Sequence, residues 1–254
     1  MLLTIDLNAD LGEGSGRSHF PQDEALLDLV SSANIACGFH AGDATTMRDT
    51  VRAAKARGIR IGAHPSYPDI TGFGRRELGL DPRQIQFHVA YQLRALRDLC
   101  SLETARLSYV KPHGALYNRA AKDSAAADAI ASAMREVDPS LVLLGLAGSA
   151  MARAAERAGV HFASEAFADR AYRRDGSLVP RAEPGAVIHD VEAAVARAIT
   201  LIKANTVKAD DGSTIGVIAQ SLCVHGDNPD AAPMLRALRA GLETSGVRIA
   251  PFAA

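Results

Sequence analysis

Apolar and polar positions along this chain follow two alternating rhythms. Short, mostly apolar runs read as strands, and longer runs with apolar residues three and four apart read as amphipathic helices. "LLTIDLNAD" is the first predicted strand, followed by a Gly-rich turn and a helix near Asp23 to Ser32. "ANIACGFH" is the second, and "DATTMRDTVRAAKARG" is its helix, with Gly58 as a C-terminal cap. "IRIGAHP" is the third; the polar loop "SYPDITGFGRRELGLD" then leads to a long helix from Pro82, the favoured first-turn residue, to Leu102. "LSYVKPHG" is the fourth, with a helix from Ser124 to Val137. "LVLLGLAG" and the helix "SAMARAAERAG", ending at Gly159, make the fifth unit, and "VHFASEAFAD" with "DVEAAVARAITLIKA" the sixth. "TIGVIAQSLCVHGD" is the seventh strand, a helix runs from Ala231 to Ser245, and "VRIAPF" is a candidate eighth strand.

Strand–helix units in series imply parallel strands, because each helix returns the chain to the same end of the sheet. An open doubly wound sheet and a closed barrel both meet that condition. The number of units and the length of 254 residues favour an α/β fold of the (β/α) barrel type, with seven or eight parallel strands, as one domain over residues 1–254.

Composition removes several function classes. The formal charge is −1, from 28 basic and 29 acidic residues. That balance argues against nucleic acid as a partner, since phosphate binding leaves a basic footprint. No apolar run of about 18 residues is present, so no membrane span is expected. The first residues lack the marks of a signal peptide. Three cysteines, Cys37, Cys100 and Cys223, fit a reducing cytoplasm better than a disulfide framework.

The polar residues concentrate at the carboxyl ends of the predicted strands. Asn8 and Asp10 share a face of the first strand, with Glu13 just beyond. His40 closes the second strand, His64 the third, and Lys111 with His113 the fourth. Glu165 and Asp169 sit late in the sixth, and His225 with Asp227 closes the seventh. In a barrel these ends form one rim, where active sites are built. Taken singly, a strand histidine is more often structural than a ligand, and Asp43 and Asp227 stand where helix N-caps are expected. Together, so many titratable groups on one rim must serve each other, a ligand or a metal.

Asp10, His64 and His113 make a one-carboxylate, two-histidine set suited to a divalent ion such as zinc with an open position. Without metal, the same groups serve as general acids and bases. Lys111 suits an oxyanion or a substrate carboxylate. Arg75 and Arg76 in "GFGRREL" offer a carboxylate clamp, with a solvated surface pair as the alternative. Cys37 with His40 and Cys223 with His225 suggest a structural zinc only weakly, because alternation makes Cys37 a buried neighbour of Ile35. "GLAGSA" sets a glycine turn before a helix, a candidate anion site through backbone N–H groups. No phosphate-binding G-x-x-x-x-G-K-[ST] loop occurs.

The strings "LNADLGE", "ANIACGFHAGD", "GAHPSYPD", "GFGRREL", "KPHGALYN", "SEAFADRAYRRDGSLVPR" and "LCVHGDNP" together resemble the LamB/YcsF family, in order and over nearly the whole chain. The resemblance implies a barrel of the glycoside hydrolase/deacetylase type working with two further subunits. The implied reaction is ATP-dependent 5-oxoprolinase activity, in which 5-oxo-L-proline, ATP and water give L-glutamate, ADP and phosphate. On that reading Asp10 and Glu13, with His64 or His113, activate water, Lys111 polarises the carbonyl oxygen, and His40 belongs to the same catalytic set. Arg75 or Arg76 holds the substrate carboxylate, Asp169 or His225 protonates the departing nitrogen, and Asn8, Tyr117 and Asn118 add substrate contacts. Two competitors stay open: a stand-alone metal-dependent deacetylase or carbohydrate hydrolase, and a protein that only binds lactams.

Overall fold

The computed structural model of the protein describes residues 3–14, 20–224 and 231–252. In chain order the elements are β1 (Leu3–Leu11), α1 (Phe20–Leu27), β2 (Ser32–Ala36), α2 (Ala44–Ala56), β3 (Arg60–His64), α3 (Pro82–Leu102) and β4 (Leu107–Val110). Then come α4 (Gly114–Lys122), α5 (Ser124–Val137), β5 (Val142–Leu146), α6 (Ala150–Ala158), β6 (His161–Phe167) and α7 (Val191–Ala204). A small hairpin follows, β7 (Thr206–Lys208) and β8 (Thr214–Gly216), before β9 (Ser221–Val224), α8 (Ala231–Thr244) and β10 (Val247–Ile249).

The strand order β1-β2-β3-β4-β5-β6-β9, with β9 pairing back to β1, closes a barrel of seven parallel strands. Period-two alternation sorts its residues. On β1, Ile5, Leu7, Ala9 and Leu11 join the apolar layer shared with the helices, which leaves Asp6, Asn8 and Asp10 for the barrel interior. The helices offer the matching stripe. On α2, Met47, Val51 and Ala54 are buried, and sealing the larger two contributes about 1.5–3 kcal/mol each. That helix starts where Asp43 accepts the Thr46 N–H at 2.8 Å, so the cap reading of Asp43 holds.

The lower interior is apolar. Tyr109, Val142, Leu144, Ala163 and Phe252 form a separate buried cluster, with the Phe252 ring edge-on to Tyr109 at 5.3 Å. Phe252 comes from the segment after β10. That strand pairs with Leu3 to Ile5 of β1, below the stretch of β1 that pairs with β9. The predicted eighth strand therefore exists but does not enter the closed barrel; it carries the aromatic plug of the floor. The Arg60 guanidinium lies 4.5 Å over the Phe252 ring and holds the plug in place.

Three further boundaries differ from the pattern reading. The first helix ends at Leu27 instead of Ser32, because the Ser31 and Ser32 hydroxyls bind the Asp6 carboxylate at 2.7 and 2.6 Å and draw that segment into the barrel. An additional helix, α4, begins directly after β4. "TIGVIAQSLCV" divides, its first part pairing antiparallel with β7 outside the barrel.

Tyr109 fits inside only because β3 has no side chain at Gly62. A Cβ there would meet the Tyr109 ring head-on, far inside van der Waals contact. Gly62→Ala is expected to destabilise the fold by about 1–3 kcal/mol through overpacking, measured by urea denaturation; an unchanged midpoint would mean the ring has room to retreat.

Candidate active site

Above this floor the interior is polar, and its hydrogen bonds run in a determined direction. The Asp6 carboxylate accepts from Ser31, Ser32 and Ser221. Since Ser221 gives its hydrogen to Asp6, its oxygen is left to accept from Asn8 Nδ2 at 2.7 Å. Asn8 Nδ2 also donates to Glu165 Oε1 at 2.9 Å. The Asn8 carbonyl oxygen therefore faces the other way, and accepts from Asn34 at 2.7 Å and from Lys111 at 3.1 Å. Lys111 Nζ further meets Asp10 Oδ1 at 3.1 Å, Glu165 Oε1 at 3.0 Å and Cys223 Sγ at 2.9 Å. Burial opposes the Lys111 ammonium, but Asp10, Cys223 and Glu165 outweigh it and hold its pKa well above the ordinary value. Tyr117, on the first turns of α4, donates to the second Glu165 oxygen at 2.8 Å.

The histidines stand one layer higher. His64 Nδ1 lies 2.7 Å from the Lys111 carbonyl, and His113 Nε2 lies 2.9 Å from the Phe73 carbonyl. Carbonyl oxygens only accept, so both of these nitrogens carry hydrogen. In the neutral rings the remaining nitrogens, His64 Nε2 and His113 Nδ1, are bare lone pairs, and they face each other at 3.0 Å. Such an arrangement needs a positive charge between or beside the rings, either a proton or a cation. Carboxylates stand ready for it. Asp10 Oδ1 is 3.4 Å from His64 Nε2, and Glu13 Oε1 is 3.3 Å from His113 Nδ1 and 3.0 Å from His40 Nε2. Burial disfavours the His64 imidazolium, yet the Asp10 carboxylate overrides it and pushes the pKa up. Burial lowers His40 to about 3, with His64 adding to the effect. His113 is held well below its usual value by burial and by His40 and His64. These opposed shifts favour a proton on His64 over one on His113 or His40. His40 stacks on His113 at 3.8 Å, and its Nδ1 is buried without a hydrogen-bond partner among the described residues.

The loop between β3 and α3 presses on this cluster. Phe73 has a left-handed backbone, φ 52°, uncommon for a residue with a side chain. That conformation presents its carbonyl to His113. At Gly74 a Cβ would come within 2.8 Å of His113 and 2.9 Å of His40, so only glycine lets the loop sit so close.

A cavity of about 520 Å³ opens at the barrel's carboxyl-end rim, with Asp10, His64, Lys111 and His113 in its wall. Arg75, Tyr117 and Asn118 also line it. Of the predicted site, Asp10, Glu13, His40, His64, Lys111 and His113 come together, with Asn8 beneath them. Arg76 does not join them. Its Nε pairs with Asp69 at 3.0 and 3.2 Å, which folds it onto its own loop. Asp169 is buried but does not line the cavity. His225 and Asp227 lie outside the described residues. Lys111 is 2% exposed and surrounded by four acceptors, which makes it a counter-ion to two carboxylates before any role toward substrate. Glu165 was legible as a rim residue without its part as a Lys111 partner; Cys223 and the Phe73 carbonyl left no signal that local spacing could carry.

The sequence model of the LamB/YcsF family matches residues 5–254. The chain belongs to that family. A relative from Streptomyces avermitilis, named as the A-subunit of 5-oxoprolinase, is 52% identical over 98% of this chain and 100% of its own length. A protein of the same name from Methylococcus capsulatus is 51% identical over 98% of this chain and 96% of its own length. Among solved structures, the lactam utilization protein from Thermus thermophilus superposes with a TM-score of 0.92 at 44% identity, covering 98% of this chain and 100% of that one. The catalytic domain of a peptidoglycan N-acetylglucosamine deacetylase from Eubacterium rectale reaches 0.54 at 10% identity, covering 100% of this chain and 90% of that one. This likeness concerns the fold alone, and the fold is the deacetylase-like barrel that the sequence led us to expect.

Asp6, beneath the charged layer of Lys111, Asp10 and Glu165, gives a test of the column. Burial raises its carboxyl to about 6 from 3.8, against the serine hydroxyls and Arg60, which favour the carboxylate. The folded state then holds the proton more tightly than the unfolded chain, so this contribution to stability is present near pH 4 and lost as pH rises through 6. Between pH ~4 and ~7.5, the stability of the wild type relative to Asp6→Asn should fall by up to about 3 kcal/mol. Urea denaturation across that range measures it; a pH-independent difference would show that Asp6 titrates alike in both states.

Proposed function

We propose that this chain is the ring-opening component of an ATP-dependent 5-oxoprolinase, acting on 5-oxo-L-proline in the cytoplasm with two partner subunits. The observation that carries the reading is full-length similarity, at about half of all positions, to proteins named as 5-oxoprolinase A-subunits. The chemistry at the rim supports it. A five-membered lactam is a stabilised amide, so opening it in useful yield requires coupling to ATP. Phosphorylation of the lactam oxygen by the partners would activate the ring carbon toward water. In the step assigned here, water adds its oxygen to that carbon, the ring C–N bond breaks and a proton passes to the departing nitrogen; a second water then hydrolyses the resulting acyl phosphate to the glutamate carboxylate and inorganic phosphate.

Asp10, Glu13, His64 and His113 are assigned to that proton traffic, because Asp10, His64 and His113 line the cavity together and Glu13 stands 3.3 Å from His113 Nδ1. Arg75 takes the substrate carboxylate at the cavity wall, with Tyr117 and Asn118 beside it. Asp169 and Arg76 have no direct part, and Lys111 fixes the position of Asp10. Chain alone, and chain with partners, should be compared for glutamate release with and without ATP. Glutamate is expected only from the complete mixture with ATP; ATP-independent turnover by the chain alone would favour the metal-dependent hydrolase instead. In the complete mixture His113→Ala should lower the rate by about 10²-fold or more, and an unchanged rate would remove His113 from the mechanism.

A second reading of the same cluster is favoured by the opposed lone pairs. Glu13, His40, His64 and His113 place one ligand atom each within 4.8 Å of one another, with Asp10 adjoining, a donor set that fits a divalent ion better than the Asp10–His64–His113 triad alone. An ion held there would supply a Lewis acid next to the reacting carbon. Zinc added to the metal-stripped chain should raise its melting temperature, by about 2.7 kcal/mol of stability at a hundredfold excess over the dissociation constant. The gain should shrink as pH falls and His64 takes up a proton, and should vanish in His113→Ala. No gain at any pH would leave the shared proton as the charge that settles the histidine pair.

A further inference from the structure

The glycine turn "GLAGSA" forms part of neither the histidine cluster nor the Lys111 network. It links β5 to α6 at the same rim. The Ala147 N–H donates to the Glu165 carbonyl and the Ser149 N–H to the Leu146 carbonyl, at 3.0 and 3.1 Å, which pins the turn to the barrel. Gly148 has φ 75°, and a Cβ built on it meets nothing within 4 Å, so the turn faces open space.

Ser149 is the N-cap of α6, yet its hydroxyl accepts nothing from the first turn. An N-cap serine ordinarily takes the second or third N–H of its helix. Here the side chain is 7% exposed, and its oxygen is buried with no hydrogen-bond partner among the described residues. Ala150 and Met151, on the first turn, have no intrahelical acceptor for their N–H groups. Uncommitted donors at a helix N-terminus and an uncommitted hydroxyl beside them are what an anion requires.

Ser149 and Gly148 line a recess of about 460 Å³ together with Lys122 and Arg174. Asp175 lines it as well, but its carboxylate takes the Ser177 N–H at 2.9 Å within its own turn, and Ser177 and Lys122 hold its pKa below the usual value. Arg173, close by, is committed to Glu183 and Asp210. The balance around the recess is two cations against one anion, with the positive end of the helix added. Ala121, Lys122, Leu146 and Ser177 border both this recess and the cavity that holds the histidines, so one ligand can reach into both.

We propose that the α6 recess is a phosphoryl-binding subsite, in which Ser149 at the positive end of α6, Lys122 and Arg174 hold a phosphate dianion beside the lactam site. This deepens the proposed function and rests on it for the origin of the phosphate, which is either the phosphoryl group of the activated lactam or the inorganic phosphate released after ring opening.

The decisive variant is Ser149→Asp. Aspartate is a favoured N-cap, so α6 keeps its start, while a carboxylate occupies the place of the anion. Calorimetric titration of inorganic phosphate into this chain alone should give saturable binding, weakened about tenfold or more in Ser149→Asp and in Lys122→Ala. No saturable binding, or binding undiminished in Ser149→Asp, overturns the proposal. In the complete mixture, ATP consumption and glutamate release are then followed together. If the activated substrate uses the recess, Ser149→Asp lowers the glutamate formed per ATP. If only the released product uses it, that ratio holds and product inhibition by phosphate is lost. Phosphate binding that responds to the variants, with no mixture releasing glutamate, would remove the 5-oxoprolinase reading and leave the subsite standing.

Discussion

The buried ammonium of Lys111 is the interaction on which the upper half of this barrel depends. Removing a charge from water costs several kcal/mol even after relaxation, and pairing offsets that only if the remaining hydrogen bonds are also made. Lys111 meets both conditions, with two carboxylates, one amide oxygen and one sulfur around its three hydrogens. The acceptors come from β1, β6 and β9, and the lysine itself follows β4. Strands that are not all neighbours are thereby fixed across the interior. Without the ammonium, Asp10 and Glu165 would be left as two carboxylates sharing one dry space.

The same charge balance extends upward. Asp10 lies between Lys111 and His64, so its one negative charge holds the lysine below and favours a proton on the histidine above. His64 is oriented by the backbone carbonyl of Lys111, and His113 by that of Phe73. Backbone anchors of this kind leave the rings little freedom, and their facing lone pairs cannot turn away. The left-handed residue Phe73 belongs to this logic, since a strained backbone at a rim persists where the surrounding contacts over-determine it. Gly74, seated against both His40 and His113, supplies those contacts.

The parts of this plan legible in sequence were those that depend on periodicity. Alternation put Asn8 and Asp10 on one face of β1, and the repeat of strand and helix put His40, His64 and His113 on one rim. What alternation cannot report is who meets whom across the barrel. Asp6 gave no signal, because its partners Ser31, Ser32 and Ser221 come from distant segments and only closure brings them together. Arg75 and Arg76 were equivalent as adjacent letters; Asp69, seven residues before Arg76, captured the second and left the first at the cavity wall. The helix α4 was missed because its run starts at a glycine, Gly114, in a left-handed conformation, which reads as a turn. β8 merged with β9 in the pattern because both are apolar, although only β9 lies in the barrel.

The apolar floor then sets the direction of everything above it. Tyr109 belongs to both halves: its ring packs on Phe252, and its hydroxyl donates to Asn34 at 2.7 Å at the base of the polar column. With Phe252 closing the lower end, the polar interior has its opening at the carboxyl-end rim. Arg75, Lys122 and Arg181 stand in the wall of that cavity together with Asp10, His64 and His113. Of the other cations in the wall, Lys111 is held by its carboxylates, Arg119 by Asp123 and the Leu80 carbonyl, and Arg170 by the backbone carbonyls of Val179 and Ala186. Arg75 reaches the histidine end of the cavity, its guanidinium 5.0 Å over the Phe73 ring, which in turn stands edge-on to His113 at 5.3 Å. On the reading proposed above, a substrate carboxylate taken by Arg75 would hold the lactam ring next to the groups assigned to proton transfer, with the apolar floor closing the other end.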